Sequence, residues 1–375
     1  ASFGNIGSCN CICKYNAFSF CEQIACIDQY SYIMSGVLKL EYTFSSKRWL
    51  SSDEIGIPDE IKNLNALGFH IPGKFDKILD IDLCYLQPDP SNAIRLEVKK
   101  YAGENDFEFY DIKGHKGYLR NLIIRNSLSG QLMVIFVFNY EDIGKQGKIL
   151  NHIAKKFPEI TSLMNVVNPK NNDIISDLEV RVHKGTDYII EEMGNLKFKI
   201  GPKSFFQTNS TQAQRLYEIV IKFAQLQADD IVYDLYTGTG TIANFIAESC
   251  KKVVGIEYMK DAIEDAKLNA QLNNIQNAIF FSGDIKDVLN DEFISENGKP
   301  SVMITDPPRN GMHKDVIDAI LKIKPGKIVY VSCNPATQAR DIALFSDCYF
   351  VADIQPIDMF PQTHHVENVV LLKNK

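Results

Sequence analysis

The chain has 375 residues, too many for one small domain and in keeping with two or three. With 45% hydrophobic and 23% charged residues, 14 prolines and 22 glycines, it is excluded from the disordered, collagen-like and low-complexity classes. The 40 Lys+Arg and 47 Asp+Glu give a formal charge of −7, divided as −2 over residues 1–200 and −5 over 201–375, which excludes a surface that binds nucleic acid everywhere. Any basic site must therefore be local.

No apolar run approaches the roughly 18–20 residues that a membrane span needs, so no membrane partner is expected. The opening ASFGNIGSCN lacks the basic start and apolar core of a secretory signal, and a first residue of Ala is in keeping with a processed product or a fragment. Of the nine cysteines, five fall within residues 9–26 and the others are Cys84, Cys250, Cys333 and Cys348. A disulfide framework would spread its staples through the fold. This clustering points to a reduced, cytoplasmic chain with a metal or cluster site.

In chain order, residues 1–36 are Cys- and Tyr-rich without a clear period. From about 37 to 200 the pattern is one of short strands and turns. LKLEYTFS alternates, QLMVIFVFNY suits a buried strand, and LEVRVHKG, TDYIIEE and LKFKIG read as a pair of hairpin strands. From about 205 helix and strand alternate. SFFQTNSTQAQRLYEIVIKFAQL has helical spacing with Thr208 or Asn209 as N-cap. IVYDLYTG, KKVVGIEY, AIFFSGD, SVMITDPP and KIVYVSC read as strands with helices between them, and YFVADIQPID and ENVVLLKN close the chain. Such alternation predicts an α/β fold with a mostly parallel sheet covered on both faces.

The segment from Asp234 to Ala243, DLYTGTGTIA, joins a strand to a helix. Gly238 and Gly240 there permit a tight turn and close approach of a ligand at the positive end of the helix. Glu257 closes the next strand, where a carboxylate can accept two ribose hydroxyls, and Asp284 ends the third, where it could receive an adenine amino group. This arrangement suits any adenosyl cofactor, NAD and S-adenosylmethionine alike, and a glycine loop alone is as often a structural turn. Two further strand ends narrow the choice. TDPPRNG places Asp306 and Arg309 on a loop stiffened by two prolines, and VSCNPAT places the Cys333 thiol at the ligand-binding edge of the sheet. Cys250 and Cys348 read as small buried hydrophobes. Near the end, His364, His365 and Glu367 precede the last strand.

Taken together, SFFQTN (204–209), DLYTGTG (234–240), DPPRNG (306–311), SCNPAT (332–337) with RD at 340–341, and HVE (365–367) resemble the RNA uracil-C5 methyltransferase family, which makes 5-methyluridine in ribosomal and transfer RNA. The match covers about 205–375, with a weaker one over about 37–200. It implies a Rossmann-like methyltransferase domain with a mostly parallel seven-stranded sheet over 205–375. A β-rich, RNA-facing domain is implied for 37–204, behind a Cys-rich segment, 1–36. It implies Cys333 as nucleophile and Glu367 as base, with Gln207, Tyr236, Glu257, Asp284 and Asp306, beside the loop glycines Gly238 and Gly240, lining the S-adenosylmethionine site. A family position that is often Asn is Thr241 here.

The chemistry accounts for these residue types. Uracil C5 is too weak a nucleophile to take a methyl group unaided. Addition of a thiolate at C6 makes it an enolate, and a base must then remove the C5 proton. A paired uracil cannot present both carbons, so the target base must be unpaired or flipped. Asp306 and Arg309 could bind its polar edge or the RNA backbone.

Residues 112–140 contain no acid but carry Lys113, Lys116, Arg120 and Arg125. In the family this stretch lies near the RNA path, which implies phosphate contact for Arg120 and Arg125. KLEYTFSSKRW adds Lys47 and Arg48. Many members also hold an iron–sulfur cluster on three close cysteines and a distant fourth. Cys84 has a family-like context for the fourth, with Cys9 and Cys13 among the first set. The expected C-x5-C-x2-C is absent, since the chain shows Cys9, Cys11, Cys13, Cys21 and Cys26. The cluster is thus one reading of residues 1–36 and its loss another. The small β-barrel module that often precedes this catalytic unit is not expected in this chain, and a monomer is. An NAD-dependent dehydrogenase would leave DPPRNG and SCNPAT idle, a non-catalytic RNA-binding protein would need neither Cys333 nor Glu367, and methylation at an exocyclic nitrogen needs no thiol. Among RNA targets ribosomal RNA, 23S, ranks ahead of transfer RNA because the cluster is commoner among ribosomal members.

Overall fold

The protein is described by a computed structural model that covers residues 37–55, 63–360, 363 and 365–375. Its first sheet holds β1 (Lys39–Ser45), β2 (Ala66–Ile71), β3 (Lys74–Asp80), β4 (Leu119–Asn126), β5 (Leu132–Phe138), β6 (Ser162–Val167) and β7 (Val180–Gly185). Their order is β3-β2-β1-β4-β5-β6-β7. Only β5 and β6 run parallel, because a helix, Ile143–Lys156, makes the crossover between them. That helix and Ser91–Glu104 cover one face, burying Tyr42, Phe44, Ile124 and Phe136 against Ile94, Val98, Ile149 and Ile153. The region is therefore more than short strands and turns. Its helical signal was in the sequence, as apolar residues four apart at Ile94, Val98 and Ala102 and an Asp142 N-cap that accepts the Lys145 N–H. Every residue of β4 and β5 is buried, since the second face is covered too.

A two-stranded hairpin, β8 (Ile189–Met193) and β9 (Leu196–Ile200), follows. β7 does not join it as expected but pairs with β6. The second seven-stranded sheet contains β10 (Ile231–Leu235), β11 (Lys252–Glu257), β12 (Ala278–Ser282), β13 (Val302–Thr305), β14 (Lys327–Ser332), β15 (Tyr349–Ile357) and β16 (Glu367–Asn374). Its order is β12-β11-β10-β13-β14-β16-β15, and only β16 runs antiparallel to its neighbours. The order reverses at β10, which lies between β11 and β13. In open α/β sheets ligands bind in the crevice beyond the strand ends at such a point.

One core joins the two sheets. Ile123, Ile135 and Met164 of the first pack with Phe198 of the hairpin, Leu216 and Val220 of the helix Ser210–Ala224, and Val253, Ile304 and Val331 of the second. At the seam the Leu38 N–H donates to the Thr208 carbonyl (2.5 Å), and Asn209 donates to the Met359 carbonyl (3.0 Å). Asn209 is also the observed N-cap of Ser210–Ala224, accepting the Gln212 N–H. Among the described residues no helix is long and apolar enough to cross a membrane.

Candidate active site

The glycine loop leaves β10 through Tyr236, which takes a left-handed backbone at φ 62°, costly for an aromatic residue and typical of a functional turn. Gly238 (φ 54°) and Gly240 (φ 76°) continue it, and above Gly238 there is open space for a ligand. A side chain at Gly240 would instead press on Ala266, so that glycine serves close helix packing. Glu257 accepts the N–H groups of Gly238 (3.2 Å) and Met259 (3.0 Å), fixing the loop. Gln207, Tyr236, Gly238 and Asp306 line one small cleft, together with Thr241 and Tyr217. Tyr236 also borders a larger one of about 630 Å³, which contains Asp284, Tyr258 and Asn310. Glu257 and Gly240 line neither cleft but hold the loop between them.

Two loops meet opposite. Asn334 caps the helix Pro335–Phe345 by accepting the Ala336 N–H, with Pro335 at the first position. Asn334 Nδ2 and Thr337 Oγ1 both donate to the Arg309 carbonyl (3.1 Å each), locking the two motif loops together. Asp341, fully buried, accepts the Tyr330 hydroxyl, the Met312 N–H and the Arg340 guanidinium, while Arg340 reaches the Asn310 carbonyl. Gly311 (φ 78°) leaves no room for a side chain against that Asp341–Arg340 pair. The RD pair is thus a brace, a role its sequence motif did not reveal.

β14 and β16 pair Ser332 with Asn368, so the next step of the antiparallel register sets Cys333 across from Glu367. Gln338 bonds the Tyr330 and Asn368 carbonyls and accepts from Asn368 Nδ2, which fixes this end of the two strands. Burial and the carboxylates of Glu367 and Asp306 push the Cys333 thiol up, and the Arg309 guanidinium beside it pulls it down. Burial raises Glu367 to about 7 against the pull of Arg309. Burial, with the Glu367 charge, raises Asp306 to about 8. Asp234, which composition and spacing did not single out, is buried and raised to about 7 by burial, and its Oδ2 accepts the Thr237 hydroxyl (2.5 Å). An excess of buried carboxylate beside an open glycine turn suits a cationic adenosyl ligand. S-Adenosylmethionine, with its sulfonium and ammonium groups, fits this acidic lining.

The structure corrects the expected roles of Arg120 and Arg125. Both are buried in β4. Arg120 donates to the carbonyls of Asn168, Lys170 and Asn172 and pairs with Asp173. Arg125 donates to the carbonyls of Gly201 and Ser204 and is pushed down to about 10 by burial. Their charges hold loops together and are not presented to phosphate. Lys47 pairs with Asp111 and Arg48 with Glu54, whereas Lys113 and Lys116 are exposed. Arg309 is exposed at the site edge. Of the metal candidates, Cys9 and Cys13 lie outside the described residues, as does His364. Cys84 is buried, its backbone N–H and carbonyl both bonded to Asn92, and among the described residues no three His, Cys, Asp or Glu side chains converge on a metal position.

A seven-stranded sheet with one reversed strand, a glycine turn at its switch point and acidic residues at successive strand ends define a methyltransferase that uses S-adenosylmethionine. The comparisons agree and are more specific. The model of the tRNA (uracil-5-)-methyltransferase family matches residues 174–375. An uncharacterized RNA methyltransferase of Bacteroides thetaiotaomicron is 56% identical over 338 residues, which are 89% of this chain and 74% of that protein. One of Chlorobaculum tepidum is 40% identical over 88% of this chain and 70% of its own. The crystal structure of Pyrococcus abyssi tRNA (uracil-54, C5)-methyltransferase in complex with S-adenosyl-L-homocysteine superposes with a TM-score of 0.72 at 28% identity, covering 90% of this chain and 76% of that one. The chain belongs to the RNA uracil-C5 methyltransferase family and is an S-adenosylmethionine-dependent RNA methyltransferase.

Proposed function

We propose that the protein methylates C5 of one uridine through a covalent adduct between Cys333 and C6 of the base. The observation that carries this reading is the approach of Cys333, one residue beyond β14, to Glu367 at the start of β16, whose charge acts on the thiol. The Cys333 thiolate adds to C6, and the electrons of the C5–C6 double bond move to form an enolate with density at C5. Gln207, Tyr236, Gly238, Asp284 and Asp306 would hold S-adenosylmethionine, with Glu257 fixing the loop beneath it, so that C5 could attack the methyl carbon, the C5–CH3 bond forming as the S–CH3 bond breaks and S-adenosylhomocysteine leaving. Glu367 then takes the C5 proton, the C–H electrons restore the double bond, and the thiolate departs. A carboxyl group raised to about 7 exchanges a proton readily near neutral pH. Arg309 and Asp306 face the base, and Arg309 stabilises the thiolate.

Residues 37–204 serve as the RNA-facing unit and 205–375 as the chemical one in this reading. Ribosomal RNA, 23S, is the proposed target on the reading that the Cys-rich start and Cys84 hold an iron–sulfur cluster, in a spacing that departs from the family's C-x5-C-x2-C. Transfer RNA is the second reading, favoured by the likeness to the archaeal tRNA enzyme. RNA from cells lacking the protein, incubated with the enzyme and S-adenosylmethionine, should acquire 5-methyluridine at one position. Nucleoside mass spectrometry of separated ribosomal and transfer RNA reads the result, and 5-methyluridine in neither fraction would refute the function.

A further inference from the structure

The first sheet carries a separate pocket of about 120 Å³, away from the catalytic edge. Thr43 and Asn121 are cross-strand partners of β1 and β4, so their side chains share one face. Two residues along β4 on that face, Ile123 packs into the core shared with the catalytic sheet. Asn121 Nδ2 donates to Thr43 Oγ1 (3.4 Å), which also lies 3.2 Å from His70 Nε2. Arg120 lays its guanidinium 4.5 Å from the Tyr110 ring centre, and its buried Nε has no hydrogen-bond partner among the described residues. Phe75, the second residue of β3, borders the pocket with 67% of its surface exposed.

The opposite wall is preshaped. The Asp111 carboxylate accepts the N–H groups of Lys113 and Gly114 and the Lys47 ammonium, and the Asp111 N–H donates to the Lys116 carbonyl (2.6 Å). This loop holds His115 in a left-handed backbone at φ 52°, with Nδ1 3.3 Å from the Tyr110 hydroxyl. Lys74, Lys113 and Lys116, all exposed, adjoin the lining residues in the chain.

We propose that this pocket receives a single unpaired nucleobase of the RNA substrate, at a nucleotide other than the target uridine. The proposal rests on the RNA-methylating reading and adds to it a site of substrate selection. Exposed aromatic rings beside amide and imidazole groups are the means by which proteins stack unpaired bases and read their edges. The neighbouring lysines supply phosphate contact in a chain whose net charge is negative. The placement suits one RNA strand: Thr43 lies five residues along β1, about 17 Å, from Leu38, which bonds Thr208 beside the cofactor-lining Gln207. One segment of RNA can thus fill this pocket while another nucleotide reaches Cys333.

The test uses a synthetic RNA containing the uridine that the wild-type enzyme methylates. Phe75→Ala removes an exposed ring and leaves the core intact. It should weaken RNA binding about tenfold, the effect of losing one stacked base, with kcat at saturating RNA and S-adenosylmethionine affinity unchanged. A scan of single abasic positions should find one, outside the target, whose loss weakens wild-type binding similarly but leaves Phe75→Ala unaffected. Wild-type RNA affinity in Phe75→Ala, or an abasic scan that is the same in both proteins, overturns the pocket. Failure of the wild type to form 5-methyluridine would overturn the functional reading instead, while filter binding of total RNA to both proteins still decides the pocket.

Discussion

Cys333 reacts only as a thiolate, and its surroundings pull both ways. Burial and two carboxylates oppose ionisation, while Arg309 and the following helix N-terminus favour it. Replacing Cys333 by Ala should abolish methyl transfer yet leave S-adenosylmethionine binding at the wild-type level, measured by calorimetry. Glu367→Gln should stop the reaction after methyl transfer, so that a protein–RNA adduct accumulates and survives denaturing electrophoresis; turnover by either variant contradicts the covalent route. The carboxylates make a further prediction. Glu367 and Asp234 rise to about 7 and Asp306 to about 8, so their neutral forms are favoured in the folded protein. Raised folded values confer stability that is full below the ordinary carboxylate range of about 4 and is lost as pH climbs from there through 7 to 8. The melting temperature of the free protein should therefore fall over that interval. S-Adenosylmethionine, whose sulfonium offsets the new negative charge, should raise it more at high pH than neutral-sulfur S-adenosylhomocysteine does.

At the level of elements, the site is held by contacts between neighbouring loops. The Asp341–Arg340 brace, the Asn334 cap and the Gln338–Asn368 clamp each tie one strand end to another. β4 shows the same economy in its arginines, which replace missing partners for loop carbonyls. Arg125→Ala strands the carbonyls of Gly201 and Ser204 at the seam between the sheets. It should cost about 2–3 kcal/mol of stability, seen as a lower urea midpoint, while the folded fraction binds RNA as before. A selective loss of RNA affinity with unchanged stability would restore the phosphate-contact role.

For the whole molecule, an acidic chain that binds RNA must do so through few phosphates. On the proposed reading, with Lys74, Lys113, Lys116 and Arg309 as its phosphate contacts, log Kobs should fall against log salt with a slope of about −2 to −3, at roughly 0.7 per single-strand phosphate. Equilibrium binding across a salt series measures it, and a much steeper slope would require a basic surface beyond these residues. The core is continuous between the two sheets, and the Leu38–Thr208 hydrogen bond lies at their seam.

The α/β alternation after residue 205 was legible because each strand there is a local apolar run and each helix has its own period and cap. So were the glycine turn, the acids at strand ends and the thiol of Cys333, since each is a short motif at a strand terminus. The helices Ser91–Glu104 and Ile143–Lys156 escaped because the apolar strands around them dominate the local pattern, although their spacing was present. Arg120 and Arg125 were misjudged for a physical reason. An arginine's charge is written in the sequence, but whether it faces water or a buried carbonyl depends on segments about fifty and seventy-five residues away. The sequence by itself determined the class of chemistry, because that rests on residue types at strand ends. Only the tertiary structure decided that Glu367 stands opposite Cys333, that Asp234 joins the acidic cluster, and that the local charge of β4 is turned inward. Strand register and burial, set by long-range packing, make those decisions.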